Sequence, residues 1–110
     1  MSDMPFQKLD VYVAARELAR RVHTAGIRDA ELRDQATRAA KSAFLNLCEG
    51  LPHASPGMRR RHFTLALGSV HEAVGAVDLA GAVEAIGAGD AEAVALLGDR
   101  LRRMLVALMR

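Results

Sequence analysis

Apolar residues recur every three or four positions along almost the whole chain, and no stretch alternates polar and apolar residues as a half-buried strand does. Val11, Ala15, Leu18 and Val22 show this spacing near the start. Because the period matches one face of an α-helix, the sequence predicts an all-α protein. With 110 residues, 51% of them hydrophobic, the chain is expected to form a single domain over residues 1–110.

Three interruptions divide this pattern into four predicted helices. They are Gly26, the run GLPHASP at 50–56 and the run GAG at 87–89. Ser55, followed by proline, suits a helix start, and Asp90 is a suitable N-cap for the last helix. The predicted helices span 9–25, 29–51, 56–86 and 90–109. Short connections make consecutive helices antiparallel neighbours, so the expected architecture is an up-down-up-down four-helix bundle.

A polar stripe runs along the second predicted helix. Its members are spaced by three or four residues: Gln35, Arg38, Ser42, Asn46 and Glu49. Either the stripe is solvated, or it forms a buried polar layer that needs partners, because burying an unpaired charge is costly. An antiparallel third helix brings Arg38 level with 69–72 and Glu49 level with 59–62. The hypothesis is a buried stripe in which Arg38 pairs with Glu72, and Asn46 and Glu49 bond groups near the turn.

The same residues carry a family resemblance. Residues 35–50 follow the pattern Q-x-x-R-A-A-x-S-x-x-x-N-x-x-E-G, and residues 66–72 follow A-x-G-S-x-x-E, which adds Ser69 to the predicted polar network. With these two segments the chain resembles the four-helix bundle proteins encoded in intervening sequences of bacterial 23S ribosomal RNA genes. That family includes the accessory variability determinant of diversity-generating retroelements. The resemblance implies a homopentameric ring that binds RNA or DNA and works with a reverse transcriptase or another protein.

Motifs for chemistry are absent from the sequence. His71 and the following glutamate begin like a zinc-protease motif, but Gly75 occupies the position of the second histidine. The remaining histidines lack ligand spacing, and the lone Cys48 lies on an apolar helix face. We therefore expect no enzyme activity, no catalytic residue, no metal and no cofactor. The sequence contains no apolar run of membrane-spanning length and no signal peptide, which favours a cytoplasmic location without membrane contact.

Arginines are concentrated at one predicted end of the bundle. Three of them fall in the first turn of the third helix, where the helix dipole disfavours cations, so they do not serve that helix. Antiparallel packing places the end of the last helix, and also Lys8, beside them. The predicted nucleic-acid-binding residues are Arg59, Arg60, Arg61, Arg102 and Arg103.

The charge pattern is also compatible with two roles that involve no nucleic acid. The arginines can be ordinary solubilising charge, or the basic end can belong to an interaction scaffold that binds an acidic protein partner. Only 4% of residues are aromatic, so base stacking is poorly supplied and a nucleic acid is expected to be held by its phosphate backbone.

Surplus apolar surface suggests a subunit interface. Helices 1 and 4 carry more apolar residues than one bundle seam needs, namely Tyr12, Val13, Leu105, Val106 and Met109. A stripe of small residues, Gly68, Gly75 and Ala82, runs along the third helix, although chance can produce such a stripe in an alanine-rich chain. Either surface is expected to serve a homo-oligomer, with the pentamer as the favoured state.

Overall fold

The computed structural model describes residues 9–110 and contains four α-helices. They are α1 (Asp10–Thr24), α2 (Ala30–Gly50), α3 (Pro56–Ala82) and α4 (Ala88–Leu108). No strand occurs within this range, which confirms the predicted all-α class. Lys8, which the sequence places with the basic end, lies outside the described residues.

The four helices pack in a ring in which each contacts its neighbours in sequence, and α1 also packs against α4. The α2–α3 contact is the most extensive of these. Side-chain contacts fix the directions: Ser42 meets Ser69 and Asn46 meets His62, so α2 and α3 are antiparallel. The predicted four-helix bundle is confirmed, with α4 running back along α3 in the same manner.

The core combines large apolar side chains with alanines. Leu18, Leu47, Phe63 and Leu101 are at most 2% exposed. The buried face of α2 consists largely of alanine, at positions Ala36, Ala39, Ala40 and Ala43. Because alanine side chains are short, α2 can approach its neighbours closely, and this explains the extensive α2–α3 contact.

Helix starts agree with the sequence except at α4. Asp29 accepts a hydrogen bond from the backbone N–H of Leu32 at 2.9 Å, and Ser55 accepts one from Met58 at 3.4 Å. Gly26, with a φ of +68°, follows the end of α1 as expected. Two predicted bounds are wrong: α3 ends at Ala82 rather than 86, and α4 begins at Ala88 rather than 90.

Residue 84 explains the early end of α3. Glu84 has a φ of +59°, which no right-handed helix accommodates, and Gly87 instead of Asp90 is the N-cap of α4. The apolar pattern continued through 85 and 86 because both residues are buried, Ala85 at 8% and Ile86 at 4% exposure. Periodicity alone therefore could not separate helix from a loop that also buries apolar side chains.

The loops at 25–29 and 83–87 meet at one end of the bundle, which we call the double-loop end. The backbone N–H of Arg28 donates to the carbonyl of Ala85 at 2.7 Å, and its guanidinium donates to the carbonyl of Glu84 at 2.7 Å. Ile27 is buried beneath them at 1% exposure, and Arg33 donates to its carbonyl at 3.1 Å. The two loops thus close this end of the core together.

The predicted surplus apolar face is only partly present. Tyr12 is 7% exposed and Leu105 is 1% exposed, so both belong to the core and the prediction for them is wrong. The Tyr12 ring lies 5.2 Å from the ring of Phe44, which accounts for its burial. Val13 remains 44% exposed. Within residues 9–110, no helix combines the length and apolar composition needed to cross a membrane.

Candidate nucleic-acid interface

The bundle end opposite the double loops carries the start of α3 and the end of α4, and we call it the arginine end (residues 51–61 and 108–110). A cleft of about 230 Å³ lies there between the two helices. Arg59, Arg60 and Arg110 line it, together with Phe63 and the last residues of α4. The structure thus brings the arginines of α3 to the C-terminal end of α4, as the antiparallel arrangement predicts.

Arg60 has a structural contact that the sequence did not reveal. Its Nη1 donates to the carbonyl oxygen of Met109 at 2.6 Å. That carbonyl follows the last turn of α4, which contains no basic residue of its own. A guanidinium placed there satisfies an unpaired carbonyl and lies favourably at the negative end of the helix dipole. Arg60 therefore stabilises α4 rather than its own helix, a role that the sequence analysis did not foresee.

Arg59 and Arg61 have no partner among the described residues. Both are exposed, and neither side chain makes a hydrogen bond or ion pair with any of residues 9–110. Arg61 borders a second shallow depression on the α3 surface, beside Gly57 and Thr64. Their charges add to the positive end of the α3 dipole, where an anion is favoured.

Arg102 and Arg103 are held differently from the arginines of α3. Both bind Asp99, Arg102 through Nη2 at 2.8 Å and Arg103 through Nε at 3.3 Å. Arg102, with His71 and Asp99, lines a groove between α3 and α4 and not the cleft at the end. The hydrogen bond from Arg102 holds the pKa of Asp99 below its ordinary value. These two arginines therefore have part of their charge balanced within α4.

The polar stripe of α2 is not buried. Among residues 9–110, no polar or charged residue is buried, so the predicted buried layer is wrong. In the stripe, Gln35, Arg38 and Glu49 are exposed, and Ser42 and Asn46 are half-buried. Of the two predicted network residues on α3, Glu72 is exposed and Ser69 is half-buried. The alanine face of α2 fills the interface with α3, and the stripe lies at the edge of that interface. Water reaches its charged groups there, so they avoid the cost of desolvation.

Half of the stripe nevertheless forms a network across the α2–α3 seam. Ser69 Oγ donates to Ser42 Oγ at 3.0 Å, and Asn46 Nδ2 donates to the carbonyl of Ser42 at 3.0 Å. His62 Nδ1 lies 3.4 Å from both Asn46 Oδ1 and Glu49 Oε2. The hypothesis that Asn46 and Glu49 meet groups near the turn holds, and their partner is His62, which the sequence analysis did not single out.

The expected Arg38–Glu72 ion pair is absent. Both side chains line one shallow groove with Gln35 and Ser42. Among the ion pairs of residues 9–110, however, none joins Arg38 to Glu72 within 4.0 Å. The register predicted between the helices is correct, but the side chains point into water rather than toward each other.

Groups that could support metal or thiol chemistry are sparse. Across residues 9–110, no three His, Cys, Asp or Glu side chains are close enough together to hold a metal ion. Cys48 is half-buried, and burial, with a smaller effect of Glu49, raises the pKa of its thiol. A thiol with a raised pKa is a poor nucleophile near neutral pH, because it is largely protonated.

Fold and site together define a small all-α protein: a four-helix bundle with a polar α2–α3 seam and one arginine-rich end. The chain matches the family of the 23S rRNA-intervening sequence protein over residues 7–107 and belongs to that family. This match confirms the resemblance seen in the two sequence segments, both of which lie on the α2–α3 seam. A search of curated proteins finds no match to the chain.

Proposed function

We propose that this protein is a non-enzymatic, homo-oligomeric accessory protein that binds the phosphate backbone of RNA or DNA through its arginine end. The observation that carries the proposal is the pair Arg59 and Arg61, whose guanidinium groups are exposed and make no hydrogen bond or ion pair with residues 9–110. Placed at the positive end of a 27-residue helix, they are repelled by the helix dipole. A bound phosphate relieves that repulsion and accepts bidentate hydrogen bonds from arginine.

The cleft at the arginine end gives part of this charge a defined arrangement, because Arg59 lines it and Arg61 borders the second depression. Arg60 is anchored to the carbonyl of Met109, and Arg110 lies across the cleft from the start of α3. A rigid base surrounded by exposed guanidinium groups suits a backbone that presents phosphates at regular intervals. Such contacts carry little sequence information, which fits the scarcity of aromatic residues.

Assembly is part of the proposal because a homo-oligomer repeats the arginine end several times, and the small positive charge of each subunit then adds to a stronger field. One chain has a formal net charge of +2, so a ring of five carries +10. Exposed Leu65 and Leu79 lie on the same face of α3 as Gly68 and Gly75, where an added Cβ has open space. This face, which also carries the exposed Glu72, offers a second copy of the chain two leucine side chains that the bundle itself does not cover.

Light scattering coupled to gel filtration tests the assembly. A pentamer has five times the chain mass of 11.8 kDa, about 59 kDa. A species of 11.8 kDa at micromolar concentration would contradict assembly, and a dimer would reject only the pentamer.

Fluorescence anisotropy with a labelled structured RNA tests the binding. The clean variant is Arg59→Gln with Arg61→Gln, because Arg60 also stabilises α4. Its control, Arg21→Gln with Arg100→Gln, removes the same number of exposed arginines elsewhere, of which Arg21 lies 3.5 Å from Glu17. If about six phosphates are contacted, affinity falls roughly a thousandfold between 50 and 200 mM salt. We expect the Arg59/Arg61 variant to bind more weakly than the control and to keep the oligomer.

Binding that is equal in the two variants, or absent at ~10 µM protein and low salt, would contradict the proposal. An acidic peptide of the same charge as the RNA provides the second arm of the experiment. Preference for that peptide would favour a protein-interaction scaffold over nucleic-acid binding.

A further inference from the structure

A second cationic surface lies on the side of the bundle, away from the arginine end. It is a groove of about 550 Å³ between α1 and α2, which we call the α1–α2 groove. Its lining consists of His23 from α1 and Arg33, Asp34, Thr37, Arg38 and Lys41 from α2. Three permanent cations thus surround one carboxylate in a single depression.

Contacts within the bundle do not account for these charges. Arg33 donates to the carbonyl of Ile27 at 3.1 Å, which fixes its position at one end of the groove. Arg38 and Lys41 are exposed, and their side chains make no hydrogen bond or ion pair with any of residues 9–110. They stand three residues apart on one helix, a spacing at which like charges are destabilising.

We propose that the α1–α2 groove binds phosphate groups, independently of the arginine end. Arg38 offers a bidentate donor and Lys41 a compact charge, which are the two side chains most used for phosphate. Thr37, which also lines the groove, adds a hydroxyl group as a neutral hydrogen-bond donor. The groove lies away from the cleft of the arginine end, since Lys41 stands nine residues, about 13 Å along α2, before Gly50.

The phosphate can come from two sources. It can belong to the backbone of a nucleic acid that also contacts the arginine end. In that case the inference rests on the proposed function and extends it. It can also belong to a free phosphate compound, in which case the groove is independent of nucleic acid. The two sources share the same chemistry and differ in whether a short polyphosphate suffices.

The test uses the full chain, a labelled single-stranded RNA and inorganic tripolyphosphate, measured by anisotropy and calorimetry at about 50 mM salt, where phosphate contacts are strong. The groove variant is Arg38→Gln with Lys41→Gln, and the control is again Arg21→Gln with Arg100→Gln. Loss of two phosphate contacts is expected to reduce RNA affinity by roughly 10- to 100-fold and to lower the salt slope by about 1.4. The Arg59/Arg61 variant is measured in parallel.

Tripolyphosphate binding that is weakened at least ~10-fold in the groove variant, but kept in the Arg59/Arg61 variant, identifies a free phosphate compound as the source. RNA binding weakened in the groove variant, with no tripolyphosphate binding, identifies the nucleic-acid backbone. The first result supports the groove even if RNA binding and the proposed function fail. The proposal is overturned if the groove variant and the control variant have the same affinity for RNA and the same affinity for tripolyphosphate. It is also overturned if the wild type binds neither ligand.

A variant with the opposite expected sign excludes damage to the fold as the cause. Asp34→Asn removes the only carboxylate among the described residues that line the groove. It is expected to strengthen, a few-fold, the binding of whichever probe the wild type binds, the RNA or tripolyphosphate. Unfolding cannot produce tighter binding. If Asp34→Asn leaves the affinity unchanged, the assignment of the ligand to this groove is wrong.

Discussion

At the double-loop end two connections close over the core and bond to each other, whereas at the arginine end a single turn leaves the start of α3 beside the end of α4. The double-loop end buries Ile27 and Ile86 and joins its loops through Arg28. At the arginine end, the hydrogen bond from Arg60 to Met109 joins α3 to α4. An arginine thus joins the two loops at the double-loop end. At the arginine end Arg60 makes a similar contact, while Arg59 and Arg61 are exposed and have no partner among residues 9–110.

Under the proposed function, this difference separates stability from nucleic-acid binding within one small bundle. Apolar burial and backbone bonds at the double-loop end contribute to the cooperative core. At the arginine end, the exposed Arg59 and Arg61 contribute little to stability, because the interactions of exposed charges are screened by water and salt. Substitutions at the two ends should accordingly affect different measurements.

The largest expected effect on stability is at the double-loop end. Ile27→Ala removes a side chain that is 1% exposed, and we expect a loss of about 2–5 kcal/mol in the free energy of unfolding. The control is Met58→Ala at the arginine end, a residue 42% exposed, with an expected loss within about 0.5 kcal/mol. Urea denaturation followed by circular dichroism measures both. Equal losses would contradict the contrast between the ends.

One position next to the arginine end is expected to be nearly as sensitive as the core. A Cβ at Gly50 would lie 2.9 Å from both His62 Cβ and Phe63 Cε1. Gly50→Ala should therefore destabilise by about 1–3 kcal/mol through overpacking. Gly57→Ala nearby meets no atom within 4 Å and should change stability little. Thermal melting compares the two, and an unchanged melting temperature for Gly50→Ala would show that α2 and α3 separate readily there.

A matched pair of arginines compares the ends directly. Arg28 and Arg60 each donate to a backbone carbonyl across the bundle, at 2.7 and 2.6 Å. Replacing either by Gln should cost about 0.5–1.5 kcal/mol. Only Arg60→Gln is expected to weaken RNA binding as well. Denaturation and anisotropy on the same samples measure both effects. A loss of RNA affinity in Arg28→Gln would show that the proposal places the interface at the wrong end.

The smallest expected effect concerns pH. The hydrogen bond from Arg102 lowers the pKa of Asp99 in the folded protein. The resulting stabilisation is present above the ordinary aspartate pKa of ~3.9 and is lost as the pH falls below it through the folded value. Asp99→Asn should thus lower the melting temperature slightly near neutral pH and have no such effect in strong acid. It should also free Arg102 and Arg103, and a slight gain in RNA affinity near neutral pH would assign them to the interface.

The helix starts other than that of α4, and the order of the bundle, could be predicted because they depend on local chemistry. Asp29 and Ser55 act as N-caps wherever their helices pack, and Gly26 ends α1 through its backbone freedom. The end of α3 was misplaced because Ile86 continues the apolar period while lying in a buried loop. Apolar spacing reports burial, and burial occurs in loops as well as in helices.

The candidate site could be predicted only in outline. Sequence alone located the arginine cluster and the register that brings α2 against α3. It could not show that Arg60 binds the carbonyl of Met109, because that partner lies 49 residues away. Nor could it show that His62 meets Asn46 and Glu49, or that Arg38 and Glu72 face water.

Residue types at short or regular spacing were enough to specify the helical class, the breaks, the cap at Ser55 and the family. Packing in three dimensions settled which polar groups are paired and which remain free. That outcome depends on distances between helices, and here the alanine face of α2 fills the interface and places the polar stripe at its edge. The same packing left Arg38, Arg59 and Arg61 exposed, without a hydrogen bond or ion pair to residues 9–110, and these are the residues on which both binding proposals rest.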